Sequence, residues 1–171
     1  MAKILVTGTP GTGKTTFCSK FLKERSNYKY INTSEYIKDG RLYEMYSQKY
    51  ESYEYDVDTV VFALMNELKI NKDIIIDTHD PELVDFIEFD IIILIVCNTE
   101  ELGSRYDQRG YGVDKISENL DAERFNEIEF ILEELYEGKK FLYFKVNGGT
   151  TQHDEVEMSV DKLLSELKEV V

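Results

Sequence analysis

The stretch Gly8-Thr9-Pro10-Gly11-Thr12-Gly13-Lys14-Thr15, directly behind the apolar run Ile4-Leu5-Val6, constrains this chain more than any other part of it. It satisfies the pattern GxxxxGK[ST] at every fixed position and has the context the pattern requires, a strand before and a helix after. Glycines at 11 and 13 permit backbone angles that turn successive N–H groups inward, and such a cradle accepts phosphate oxygens. A helix starting near Lys14 adds its positive end. An ordinary glycine-rich turn would need neither the lysine nor the hydroxyl after it. The loop therefore reads as a nucleoside triphosphate site, with Gly11, Thr12, Gly13, Lys14, Thr15 and Thr16 around the phosphates. Lys14 would span the β and γ phosphates, and the Thr15 hydroxyl would ligate Mg²⁺.

The rest of the chain supplies a sheet to carry such a loop. Strand-like runs fall at Lys3–Thr7, Lys29–Ile31, Asp73–Asp77, Asp90–Val96 and Lys140–Val146. Several are apolar on both faces, as strands covered on both sides of a parallel sheet are. Helical patterns alternate with them. One follows the loop over Lys14–Lys23; a second has its stripe at Val57, Val60, Val61, Leu64 and Leu68. A long helix is marked by Leu120, Ile128, Ile131, Leu132 and Leu135, and a C-terminal one by Val156, Val160, Leu163, Leu164, Leu167 and Val171. This order predicts an α/β fold, a doubly wound parallel five-stranded sheet, with ligands beyond the carboxyl ends of its strands. At 171 residues the expectation is one domain spanning 1–171, burying roughly 70% of its unfolded-chain surface.

Charge narrows the partners. Thirty-four acidic residues stand against 20 basic ones, a net charge of −14. Affinity for nucleic acid rests on Lys and Arg neutralising phosphates, so direct non-specific nucleic-acid binding is not expected. A basic protein would be steered in, although acidity also serves solubility alone. The longest apolar run, Ile91–Cys97, is too short to span a bilayer, and no leader is expected ahead of Lys3. Cys18 and Cys97 form neither a disulfide framework nor a CxxC pair, which points to a reducing compartment, cytosolic or nuclear.

Three further features carry chemistry. Asp73-Ile-Ile-Ile-Asp77 is an apolar run ending in a carboxylate, the arrangement that holds magnesium beside a phosphate loop. His79 follows two residues later, where strand alternation would turn it the same way as Asp77; imidazole can position or deprotonate a water, or the residue has no role. Arg105 and Arg109 lie on and just past the helix after the fourth strand, four residues apart and on one face. There they would neutralise charge developing on a transferred phosphoryl group, or be solvated among the acids. A guanine-specific switch is excluded, because Ile74 stands where Asn71-Lys72 would need a base-reading Asp.

"GTPGTGKTT", "YIN" at 30–32, "DTH" at 77–79 and "RGY" at 109–111 occur in the order found in one family. Over roughly residues 3 to 137 the chain resembles the adenylate kinase isoenzyme 6 family, the Fap7-type nucleotide kinases of the P-loop class. The resemblance implies an adenylate kinase core with a nucleoside-monophosphate flap at about 32–55 and a short lid at about 108–118. It implies MgATP and AMP going to two ADP, side ATPase activity, and nuclear and cytoplasmic location. A role in small ribosomal subunit (18S rRNA) maturation with a basic ribosomal protein also follows from it, and a monomer is expected. Lys14, Asp77, His79, Arg105 and Arg109 would be catalytic, Thr15 and Asp77 the metal ligands, and Arg109 also an ATP contact from the lid. Asn32, Lys38 and Arg41 would meet AMP.

The chain departs from that family in two places. Thr78 replaces the usual Tyr between Asp and His, and Lys38 stands where an arginine commonly grips the AMP phosphate. Lysine lacks the bidentate fork of arginine. Tyr46, Tyr50 and Tyr53 in the flap would line one helix face, either stacking on a base or packing on the core. The rival to a kinase is an ATPase switch that releases a protein partner, since a short lid excludes water poorly.

Overall fold

The computed structural model describes residues 2–48, 52–147 and 158–170. Its centre is a parallel sheet of β1 (Lys3–Thr7), β2 (Lys29–Asn32), β5 (Ile74–Thr78), β6 (Ile91–Val96) and β7 (Leu142–Asn147), with the two-residue β8 (Met158–Ser159) at one edge. The order is β2-β5-β1-β6-β7-β8. Five strands of ordinary length thus form the expected doubly wound sheet, and β8 extends it by one pair of residues against β7.

Alternation along the strands assigns each face its helices. Ile4, Val6, Ile75, Ile93 and Ile95 pack with Phe17, Cys18 and Phe21 of α1 (Lys14–Glu24) and with Leu163 and Leu167 of α7 (Val160–Val170). Leu5, Ile74, Ile76, Ile92 and Leu94 point the other way. They meet Val60 and Leu64 of α3 (Val57–Ile70) and Leu132 of α6 (Glu127–Leu135). Position 77, two residues after Ile75, falls on the α1 side, and position 78 on the α3 side. This parity decides which partners those two residues find.

Between β2 and α3 the chain leaves the sheet through α2 (Thr33–Asp39) and a hairpin of β3 (Met45–Ser47) and β4 (Ser52–Glu54). Among the described residues no tyrosine helix forms there. Tyr46 and Tyr53 are register partners across the hairpin, with ring centroids 5.1 Å apart, and Tyr43 sits 4.5 Å from Tyr53. The four-and-three spacing of Tyr46, Tyr50 and Tyr53 fits a helix face, but pairing across the hairpin is what brings Tyr46 to Tyr53; Tyr50 lies outside the described residues. Tyr53 and Tyr55 pack on the α3-side core, so packing accounts for part of the aromatic cluster.

The long helix expected through Leu120 and Leu135 is two helices, α5 (Val113–Arg124) and α6. They are broken at Asn126, whose φ of 53° is left-handed, a conformation Asn tolerates better than most residues. The stripe serves two cores and one straight rod cannot serve both. Leu120 packs with Leu102 and Tyr106 of α4 (Thr99–Arg109), whereas Leu132 packs on the sheet. Between α4 and α5 the chain needs only Gly110, Tyr111 and Gly112, so most of the segment 108–118 expected as a lid is helix. In the C-terminal helix Leu163 and Leu167 are buried as expected, while Val156 and Val171 lie outside the described residues. Among the described residues no helix is long and apolar enough to cross a membrane.

Candidate active site

The glycine loop follows β1 into α1, at the carboxyl ends of the sheet strands. Gly8, Gly11 and Gly13 have φ of 143°, 88° and 112°. At Gly8 the need for glycine is steric as well, since an added Cβ would stand 2.1 Å from the Ile95 carbonyl oxygen of β6. The loop is pinned from inside and from above. Inside, Thr12 Oγ1 donates to the Thr9 carbonyl at 2.9 Å. Lys14 Nζ donates to the carbonyls of Gly8 (2.7 Å) and Thr9 (3.0 Å). Burial lowers the Lys14 pKa to about 8, and Asp77 opposes that shift. A polyanion arriving beside this ammonium would raise its pKa again.

From above, α4 straps the loop. Tyr106 donates its hydroxyl to the Pro10 carbonyl, and Arg105 Nη1 donates to the Gly11 carbonyl at 2.8 Å while Nη2 pairs with Glu101 at 2.6 Å. Arg105 was expected beside Arg109 as a charge on the transferred group. Its fork is instead committed to the loop backbone and to Glu101, because it lies one turn earlier on α4 and reaches the loop first. Arg109, exposed at the helix end, stands beside Gly11: a Cβ built there would be 3.6 Å from its Nη1. Tyr106 was not singled out in the sequence, because an aromatic on a helix reads as core.

Asp77 is 1% exposed, and three donors converge on its Oδ2: Thr15 Oγ1 (2.8 Å), Tyr30 Oη (2.9 Å) and Asn32 Nδ2 (3.0 Å). Register explains two of them, since Asn32 is the Cα partner of Asp77 on β2 and Tyr30 lies two residues back on the same face. Burial, followed by the charge of Asp77, raises the Tyr30 pKa, so Tyr30 stays a donor. Oδ1 of Asp77 is buried with no hydrogen-bond partner. A threonine hydroxyl next to a carboxylate with an unused oxygen is a hard-oxygen donor pair suited to magnesium sharing phosphate oxygens. No cluster of three or more His, Cys, Asp or Glu able to hold a metal occurs among the described residues, so protein ligands alone would not complete such a shell.

Asn32, expected at the acceptor, is occupied otherwise. Its Nδ2 serves Asp77 and its Oδ1 caps α2 by accepting from Glu35 N at 3.0 Å. Beside the loop lies a cavity of about 500 Å³ that Pro10 borders. Lys38, Tyr53 and Tyr55 wall it on the side of the β2–α3 segment; His79 and Asp80 form its floor. Tyr111, Lys115 and Asn119 close it from the start of α5, a wall that sequence reading missed. Arg41 lies outside this wall, exposed and at a left-handed φ of 52°. Thr16 is exposed on the first turn of α1, beside the loop.

His79 lines the cavity and stays exposed, with only part of its surface covered by protein. That partial desolvation, with the Lys14 charge second, holds its pKa below the usual histidine value, against the pull of Asp80 and Asp77. The loop carrying it is anchored on the α3 side. Thr33 Oγ1 donates to Thr78 Oγ1 (2.9 Å), which donates to the Asp80 carbonyl (3.1 Å) and accepts from Asp80 N (3.0 Å). Tyr55 Oη reaches Asp80 Oδ2 at 3.3 Å. Both ends of the segment between β2 and α3 are thereby tied to the residues flanking His79.

Comparisons with known proteins agree with this arrangement. The model of the AAA domain family AAA_18 matches residues 4–126. The chain is 36% identical to a protein of Methanosarcina acetivorans named "Putative adenylate kinase", over 94% of this chain and 87% of that protein. It is also 36% identical to the adenylate kinase isoenzyme 6 homolog FAP7 of Saccharomyces cerevisiae, over 78% of this chain and 68% of that one. Two solved structures share the fold. They are deoxyadenosine kinase from M. mycoides with bound dATP (TM-score 0.59, 20% identity, 98% and 100% of the two chains) and shikimate kinase from Bacteroides thetaiotaomicron (TM-score 0.58, 16% identity, 99% and 97%).

Proposed function

This chain belongs to the P-loop family of the adenylate kinases and the adenylate kinase isoenzyme 6 homologs, and from that premise we propose that it transfers the γ-phosphoryl group of MgATP to AMP, giving two ADP. Nucleotide kinase chemistry follows from the family. The choice of a monophosphate acceptor is carried by one observation: a cavity of about 500 Å³ bordered by Pro10 of the phosphate loop has the cationic side chains Lys38 and Lys115 in its lining. A second nucleotide fits there with its phosphate toward the first.

Phosphoryl transfer asks for positioning and charge more than for covalent chemistry. In this reading Gly11, Thr12, Gly13 and Thr16 hold the ATP phosphates through backbone and hydroxyl. Lys14 exchanges the Gly8 and Thr9 carbonyls for β and γ oxygens. Thr15 and Asp77 would hold Mg²⁺, which supplies charge neutralisation to the phosphates when bound. Asp77 keeps its aim through Tyr30 and Asn32. Arg109 reaches over Gly11 to the transferred group, and Arg105 acts one step back by holding the loop. The segment at about 32–55 serves as the acceptor flap and the turn near 108–118 as a short lid, within one domain. Lys38 is the flap residue positioned to meet AMP.

A second reading has its own support, the position of His79. Open to the cavity and biased toward the neutral form, it is placed to orient a water where AMP would otherwise sit. ATP hydrolysis is the corresponding activity. By resemblance it would serve small ribosomal subunit maturation with a basic ribosomal protein, in nucleus and cytoplasm, the −14 charge suiting such a partner. Rates of ADP formation from ATP, alone and with AMP, CMP, UMP or GMP, separate the two. Stimulation by AMP at least about tenfold above the other three supports the kinase. Rates indifferent to every monophosphate leave the hydrolase.

A further inference from the structure

Residues Lys115 and Asn119 form a wall of the acceptor cavity from α5, opposite the flap. They are four residues apart and share one helix face. The adjoining side of the helix is fixed. Ile116 and Leu120 pack with Leu102 and Tyr106, and Glu123 accepts the Cys97 amide at 2.7 Å. The rotation of α5 about its axis is thereby set, and it directs Lys115 and Asn119 at the cavity.

Two observations mark this face as one that waits for a ligand. Nδ2 of Asn119 is buried with no hydrogen-bond partner. Buried amide N–H groups nearly always have one, and the cavity is where an oxygen for this one can arrive. The second observation is charge. Glu35, Asp80 and Glu118 line the same cavity, and a monophosphate brings about two more negative charges. Lys38 alone, exposed in the last turn of the seven-residue α2, is a weak counterweight. Lys115 is better held, its ammonium 4.5 Å from the centroid of the Tyr111 ring.

We infer that Lys115 and Asn119 grip the acceptor phosphate, Lys115 with its charge and Asn119 with an amide donor to a phosphate oxygen. The inference rests on the kinase reading above, and it moves phosphate recognition from the flap residues Lys38 and Arg41 to α5.

Calorimetric titration of the full chain with AMP and with adenosine, in the presence of Mg²⁺ and a non-hydrolysable ATP analogue, tests it. Lys115→Met is expected to raise the Kd for AMP about 30-fold and Asn119→Ala about tenfold, the range for a hydrogen bond to a charged group. The Kd for adenosine, which lacks the phosphate, should change less than about twofold, as should that of the ATP analogue. Lys115→Arg should recover most of the AMP affinity, and in steady state the KM for AMP should rise more than kcat falls. Unchanged AMP affinity in both variants, with a wild type that binds AMP, overturns the assignment and leaves the kinase reading standing. Equal losses for AMP and adenosine also overturn it, because the residues would then only shape the cavity. A wild type that binds no monophosphate overturns both.

Discussion

On the donor side, the phosphate loop is enclosed: Thr9 and Thr12 are 2% and 0% exposed, Lys14 is 9% exposed, and α4 holds the loop carbonyls from above. On the acceptor side, the hairpin between β2 and α3 stands out in solvent, with Met45 and Tyr46 57% and 50% exposed. Among the described residues its ends are tied by Thr33 to Thr78 and by Tyr55 to Asp80, and Tyr53 packs on the core. The first region must present the same cradle to the same triphosphate in every cycle, and preorganised donors need no rearrangement as charge develops. In the proposed reaction the second admits one nucleotide and releases another, and a loosely held segment suits that. Rigidity is spent where the chemistry is invariant.

The strongest test of that contrast is Lys14→Ala. Both proposed reactions use its ammonium, so kinase and ATPase rates should fall together by on the order of 10³-fold, in a protein whose circular dichroism shows it folded. Retained activity would detach the loop from the chemistry.

Next in size is the pair at the strand end. His79→Ala should lower ATP hydrolysis about 10²-fold and AMP phosphorylation far less, because the AMP phosphate is already ionised. Asp77→Asn should damage both. Parallel losses in His79→Ala would make that residue a shared structural contact.

The structural side of the contrast is read by melting temperature. Gly8→Ala forces a Cβ onto the Ile95 carbonyl at a φ of 143°, a loss of about 3 kcal/mol, or about 6–12 °C in Tm. At the other extreme Tyr46→Ser, on the exposed hairpin, should cost less than about 0.5 kcal/mol. A comparable loss there would mean that the hairpin is as integral as the loop.

The same contrast runs through what the sequence disclosed. The donor half was legible because its signal is local: GxxxxGK[ST] is contiguous, and Ile74–Asp77 is an apolar run ended by one charge. The rest depends on residues brought together from far apart. Tyr30 serves Asp77 across a strand register, Asn119 faces the cavity only because Ile116 and Leu120 fix the turn of α5, and Asn126 breaks a stripe that looked continuous. The spacing of Tyr46, Tyr50 and Tyr53 was compatible with a helix, and only pairing of Tyr46 with Tyr53 decides for a hairpin. Arg105 and Arg109 look equivalent in sequence, but reach and a competing Glu101 give them different tasks.

Phosphoryl transfer between two nucleotides is tested most directly by the fate of the γ-phosphate. In a single turnover with γ-labelled ATP, excess enzyme, Mg²⁺ and AMP, label should appear in the β position of ADP newly made from AMP, faster than in inorganic phosphate. Label released as inorganic phosphate at one rate, with or without AMP, would contradict it and identify the protein as a hydrolase.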